Sequence, residues 1–130
     1  MSVPEVSIER RVEWIDTDAA GHHHFSSVLR WVESAEAELL RRYGLDWLFG
    51  RAPRVRHEVD YRNRLRFGEL VTTRLRVERI GRTSLTYAFT VHGKEGLAAE
   101  GRMTVAHVER DAPSASPWPP EVREAFGAPA

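Results

Sequence analysis

IDTDAAGHHHFSSVLRWVESAEAELLRRYG, residues 15–44, is the stretch whose reading decides the fold. Its first part, Ile15 to Ser27, has the composition of a loop. Two acids, Asp16 and Asp18, precede a small run, Ala19-Ala20-Gly21, then three histidines, Phe25 and two serines. The second part has a helical period. Val28, Val32, Ala35, Leu39 and Tyr43 recur at spacings of three and four, as on one face of an α-helix. Leu29 and Leu40 widen that stripe, and Glu33, Glu36, Glu38, Arg41 and Arg42 mostly fill the rest. Acids lie early and bases late, which suits the helix dipole. Ser26 and Ser27 suit an N-cap, and Gly44 suits a C-terminal stop. The pattern predicts one helix of about five turns, ~27 Å long at ~1.5 Å per residue.

Upstream, Val6 to Trp14 alternates imperfectly and reads as a strand. Downstream of Pro53 everything reads as strand. Val55, His57, Val59 and Tyr61 alternate with Arg54, Arg56, Glu58 and Asp60, and Phe67-Gly68-Glu69 makes a turn. Val71 to Glu78 alternates next, Gly81-Arg82 turns the chain, and Leu85 to His92 alternates again. Gly93-Lys94-Glu95-Gly96 is a hairpin loop, and Leu97 to Glu109 is a last strand. The tail APSASPWPP is too rich in proline to pair in a sheet, with room for a short helix near Glu121 to Phe126. We therefore expect one α+β domain over residues 1–130, with its core at about 6–110 and a Pro-rich tail at 111–130. One helix covers a five-stranded antiparallel sheet only if the sheet curls around it. The exposed sheet edges favour a homodimer or homotetramer.

Composition narrows the function. Lys plus Arg balances Asp plus Glu at 19 each, so net charge gives no reason to expect nucleic acid or an anionic membrane as partner. The absence of cysteine removes disulfides and a thiol nucleophile. The first residues carry no apolar signal segment, and no apolar run approaches the ~20 residues of a membrane span. The expected location is cytoplasmic.

The segment Asp16-Thr17-Asp18-Ala19-Ala20-Gly21, placed between a strand and the central helix with its Leu29-Arg30-Trp31-Val32-Glu33, resembles the hotdog-fold acyl-CoA thioesterases of the 4-hydroxybenzoyl-CoA thioesterase family. Val59-Asp60-Tyr61, the Phe67-Gly68-Glu69 turn and Gly81-Arg82-Thr83-Ser84-Leu85 add to the likeness, which spans about residues 6 to 110. The resemblance implies a curved sheet wrapped around one long helix. It implies hydrolysis of a CoA or acyl-carrier-protein thioester with no cofactor beyond the substrate's own CoA, in sites lying between subunits. It also implies that Asp18 does the chemistry and that the Phe25 N–H, seven residues on, polarises the carbonyl. Two departures stand out: Ser27 occupies a place where Asn is common, and the triple histidine replaces aromatic or aliphatic residues.

The chemistry suits these residue types. A carboxylate beside a thioester carbonyl serves as base or nucleophile. A helix N-terminus offers unpaired N–H groups to an oxyanion. Gly21 allows a positive φ or close approach of substrate. Asp16 suits a bracing role through backbone hydrogen bonds. Of the histidines, His23 and His24 are candidates to line the pocket, while three adjacent side chains lack the spacing that converges on a metal. Arg82, with Thr83, is a candidate for CoA phosphates, as is the Arg62, Arg64, Arg66 cluster. Trp31 and Trp47 shape either an acyl pocket or the core. Helical Glu33 and Glu36 read as catalytic acids or as a solvated face. Two other activities fit: a hydratase or dehydratase pairing Asp18 with His23, and a non-catalytic acyl-thioester binding module.

Overall fold

The computed structural model describes residues 3–110 and 112–127. β1 (Glu5–Arg11) leads through a 3-10 turn at Trp14–Asp16 to the long helix α1 (Ser27–Arg42). A second 3-10 turn (Asp46–Leu48) precedes β2 (Arg54–Tyr61), β3 (Leu70–Ile80), β4 (Ser84–Gly93), β5 (Gly96–Ala106) and the short helix α2 (Pro120–Ala125). The strands form one antiparallel sheet in the order β1-β3-β4-β5-β2. The sheet is curved and holds α1 against one face, as expected from the single helix.

The core follows from the two periodicities. Val28, Val32, Ala35 and Leu39 of α1 are all fully buried. Leu75, Leu85, Tyr87, Met103 and Val105, at alternating strand positions, bury with them. Full burial of each such Leu or Val stabilises the fold by ~1.5–3 kcal/mol.

The structure departs from the sequence reading in four places, each with a local cause. β1 ends at Arg11 rather than Trp14, because the Asp16 carboxylate captures the Glu13 N–H at 2.7 Å and turns the chain. The two serines do not cap α1 with their side chains. The Ser27 hydroxyl donates instead to the Asp16 carbonyl at 2.7 Å, and the Ser26 hydroxyl pairs with His24 Nδ1. Val55 is 63% exposed although its neighbours alternate cleanly, because a bulge between Arg54 and Arg56 resets the strand's facing. The Pro-rich tail is not a loose appendage. Proline removes a donor only at its own position, so Ser116 and Trp118 donate to the carbonyls of His107 and Arg82. Trp118, Val122 and Phe126 then join the hydrophobic core.

Candidate active site

The loop ahead of α1 is built around Asp16. This residue is 5% exposed. Its carboxylate accepts the Glu13 N–H and an Arg30 guanidinium hydrogen bond. Its carbonyl accepts the His24 N–H at 2.6 Å and the Ser27 hydroxyl. One acid thus ties the end of β1, the loop and the first turn of α1 together. Asp16→Ala leaves the Glu13 N–H unpaired and frees Arg30. With Arg30 half in water, the expected loss is about 2–3 kcal/mol in urea unfolding.

Between these anchors, residues 17–23 form a miniature hairpin. Thr17 and His23 bridge, and the Asp18 N–H donates to the His22 carbonyl at 2.8 Å. Gly21 turns the chain with φ of 82°. The Asp18 side chain sits on the outside of this hairpin, exposed, and its Oδ1 accepts the Ala20 N–H at 2.9 Å. The Ala20 N–H, helped by the His22 N–H, holds its carboxyl below the usual 3.8.

The histidines take separate duties. His22 bridges to Arg66. His23 is pinned twice to Leu65: its N–H donates to the Leu65 carbonyl at 2.7 Å, and its Nδ1 accepts the Leu65 N–H at 3.1 Å. Burial pushes the His23 imidazole pKa down, so the ring is neutral at pH 7. His24 takes the role expected of a serine: its Nδ1 accepts the Ser26 N–H at 3.2 Å. Among the described residues no three His, Asp or Glu side chains are grouped to hold a metal ion.

With both serine hydroxyls engaged elsewhere, the helix start keeps a free donor. The Phe25 N–H has no acceptor among the described residues. Its carbonyl, by contrast, is fixed by the Tyr61 hydroxyl of β2 at 2.8 Å. The peptide before Ser26 is therefore held in place, with its neighbouring N–H unspent.

A cavity of about 490 Å³ opens beside this helix start. Ser26, Leu29, Arg30 and Glu33 line it along one helical stripe, and His57 and Met103 close it from the sheet. Arg54 separates it from a second cavity deeper along α1. The Arg54 guanidinium bridges Glu33 and the buried Glu36. Burial pushes the Glu36 carboxyl up, and Arg54 counters this in part. Glu36 is therefore no solvated-face residue, whereas Glu33 is exposed. Trp31 is core, and Trp47 lies at the surface.

Two expectations meet a different geometry. Asp18 lines none of these cavities; one chain leaves it open to solvent. Arg82 and Thr83 occupy the β3–β4 turn, whereas Arg11 of the strand leading to the loop pairs with Leu70 at the other end of β3. Eleven residues of strand put roughly 30 Å between the two places. Arg62, Arg64 and Arg66 instead line a third cavity with His23 and Tyr61. Sequence pattern alone gives His57, Arg54 and Tyr61 no site role. The one signal it holds is the parity of β2, which aims His57 and Tyr61 to one face.

A curled five-stranded sheet around one long helix is the hotdog fold, and the class it houses here is the thioester hydrolases. A profile of the Thioesterase-like superfamily matches residues 12–126. The 1,4-dihydroxy-2-naphthoyl-CoA hydrolase of Synechococcus sp. (strain CC9605) is 36% identical over 124 residues, covering 87% of this chain and 82% of that one. A predicted thioesterase from Bacillus stearothermophilus superposes with a TM-score of 0.86 at 29% identity, covering 95% of this chain and 94% of that one. A thioesterase from Thermus thermophilus, complexed with coenzyme A and Zn, also reaches 0.86, at 27% identity and 98% coverage of both chains. The chain belongs to the Thioesterase-like superfamily.

Proposed function

We propose that this protein hydrolyses an aromatic acyl-CoA thioester, with Asp18 as base or nucleophile and the Phe25 N–H as oxyanion donor. The observation that carries the reading is the unspent Phe25 N–H at a helix start whose serines bond elsewhere. Asp18 precedes it across a seven-residue hairpin and is ionised at neutral pH. The Asp18 carboxylate takes a proton from water as that water adds to the carbonyl carbon, or adds to the carbon itself to give an acyl-aspartyl anhydride that a water then cleaves to free acid and Asp18 carboxylate once the thiolate has left. The oxygen gains charge against the Phe25 N–H, the C–S bond breaks, and the thiolate leaves and takes up a proton. One oxyanion donor of this kind contributes ~10²–10³ in rate. The aromatic acyl group follows from the naphthoyl-CoA hydrolase among the relatives.

The exposure of Asp18 and its distance from Arg82 support a site completed by a second copy. β2 is an edge strand with one side unpaired, and it carries Tyr61 and His57. We read that edge as the place where a second copy docks and completes the site. The His23 ring, held by Leu65, is a brace rather than a partner acid for a hydratase. A panel of acyl-CoA and acyl-carrier-protein thioesters tests the reading. Thiol release from aromatic CoA esters is expected. Loss of enoyl absorbance without thiol release supports a hydratase, and tight binding without turnover supports a binding module.

A further inference from the structure

The C-terminal tail closes on one turn of the sheet. Pro117 and Pro119 flank Trp118 and fix the backbone on either side of it, so little freedom is lost in placing the ring. That ring stacks on the buried His107 ring, 5.0 Å between centroids, and His107 Nδ1–H donates to the Pro117 carbonyl at 3.0 Å. From this seat the tail holds every carbonyl of the β3–β4 turn, residues 81–84. Arg123 Nη2 donates to the Gly81 carbonyl at 2.7 Å. The Trp118 N–H donates to the Arg82 carbonyl at 3.1 Å, and its Nε1–H donates to the Ser84 carbonyl at 3.0 Å. The His107 N–H donates to the Thr83 carbonyl at 2.8 Å. In a trans peptide the C=O and the following N–H point opposite ways. Drawing the Gly81 and Arg82 carbonyls toward the tail therefore aims the Arg82 and Thr83 N–H groups away from it. Neither N–H has an acceptor among the described residues. The Arg82 and Arg123 guanidiniums form no ion pair among those residues either. Two adjacent outward N–H groups beside an unpaired cation make a receptor for an anion.

We propose that the tail is a positioning element of the substrate site, in which Arg123 and Trp118 hold the β3–β4 turn so that its outward donors take a phosphate of CoA. Once released, either peptide of the turn can flip, and a carbonyl oxygen then faces the phosphate in place of an N–H. Arg123 also keeps its positive charge beneath the turn, because the carbonyl it binds is neutral. Neither side chain needs to touch the substrate, so both act through the turn. This role rests on the thioesterase reading and on a site completed by a second copy, since the turn lies roughly 30 Å from the Asp18 loop of its own chain.

The experiment follows thiol release from the best aromatic CoA ester of the panel and from the pantetheine ester of the same acid, which has the same thioester arm and no phosphate. Arg82→Met is expected to raise KM for the CoA ester about tenfold, the loss of one charge-assisted phosphate contact, with kcat within about twofold of the native value. Arg123→Met and Trp118→Phe keep apolar bulk and each remove one donor to the turn, and should raise the same KM by about three- to tenfold. None of the three should change kcat/KM for the pantetheine ester by more than about twofold, because that ester does not reach the turn. If Trp118→Phe does not fold, Arg123→Met decides. A parallel loss on both esters, or an unchanged KM for the CoA ester in any folded variant, overturns the proposal while the thioesterase reading stands. No thiol release from any CoA ester by the native protein overturns both.

Discussion

Asp18→Asn is expected to lower thiol release by about 10³-fold or more while leaving the folded structure intact. The separation of the two effects comes from the geometry of the hairpin. The side chain is exposed, and its one short bond is accepted by Oδ1 from the Ala20 N–H. An asparagine carbonyl oxygen accepts that bond equally well, so the turn survives. What is lost is the charge that takes a proton from water or attacks the carbonyl. Far-ultraviolet circular dichroism and the unfolding midpoint should match those of the native protein. Full turnover by the variant on a good substrate removes Asp18 from the chemistry. The carboxyl is also held below its usual 3.8, so it stays ionised down to that pH and loses its proton acceptor role only beneath it. The acid limb of kcat/KM in the native protein should therefore fall below pH 3.8. A limb in the ordinary histidine range, about 6.5, assigns the base to a histidine instead.

The two acids of the opening loop divide labour in a way that the sequence exposes only in outline. Spacing alone sets Asp16 and Asp18 as near equals. The structure separates them by burial: Asp16 gathers backbone and side-chain donors inside, and Asp18 faces out. The extents of α1 and β2–β5 are readable to within a few residues because these elements keep clean periods of 3.6 and 2. The cap is not, because it depends on a partner 11 residues away, the Asp16 carbonyl that takes the Ser27 hydroxyl. The facing of Val55 is not, because a bulge obeys register rather than composition. The polar end of the cavity is invisible for a third reason. His57 and Glu33 lie on different elements, and only tertiary packing brings a strand parity and a helical stripe to the same space. Arg82 shows the reverse: sequence likeness groups it with the site, and strand length separates it within one chain.

Gly101→Ala is expected to destabilise the fold by about 4 kcal/mol or more, a loss at the extreme of single substitutions. Gly101 lies in β5 between Val59 of β2 and Phe89 of β4. A β-carbon there falls 1.8 Å from the Glu58 carbonyl oxygen and 3.0 Å from the Phe89 ring. The first obstacle is backbone, and no rotamer relieves it. Either β2 moves away from β5 or β5 bends. The comparison that isolates this cause is Gly96→Ala. There the added carbon meets nothing within 4 Å, and the cost is only that of a residue at φ of 100°, about 1–2 kcal/mol. Urea unfolding of both variants measures the difference. The damage from Gly101→Ala reaches the chemistry as well, because β2 carries the His57 ring and the Tyr61 hydroxyl that fixes the Phe25 carbonyl. A folded fraction of that variant should therefore lose turnover, whereas Gly96→Ala should keep it. Equal stability of the two glycine variants means that β2 does not press on β5 at this pair, and the edge strand then has no fixed hold on the helix start.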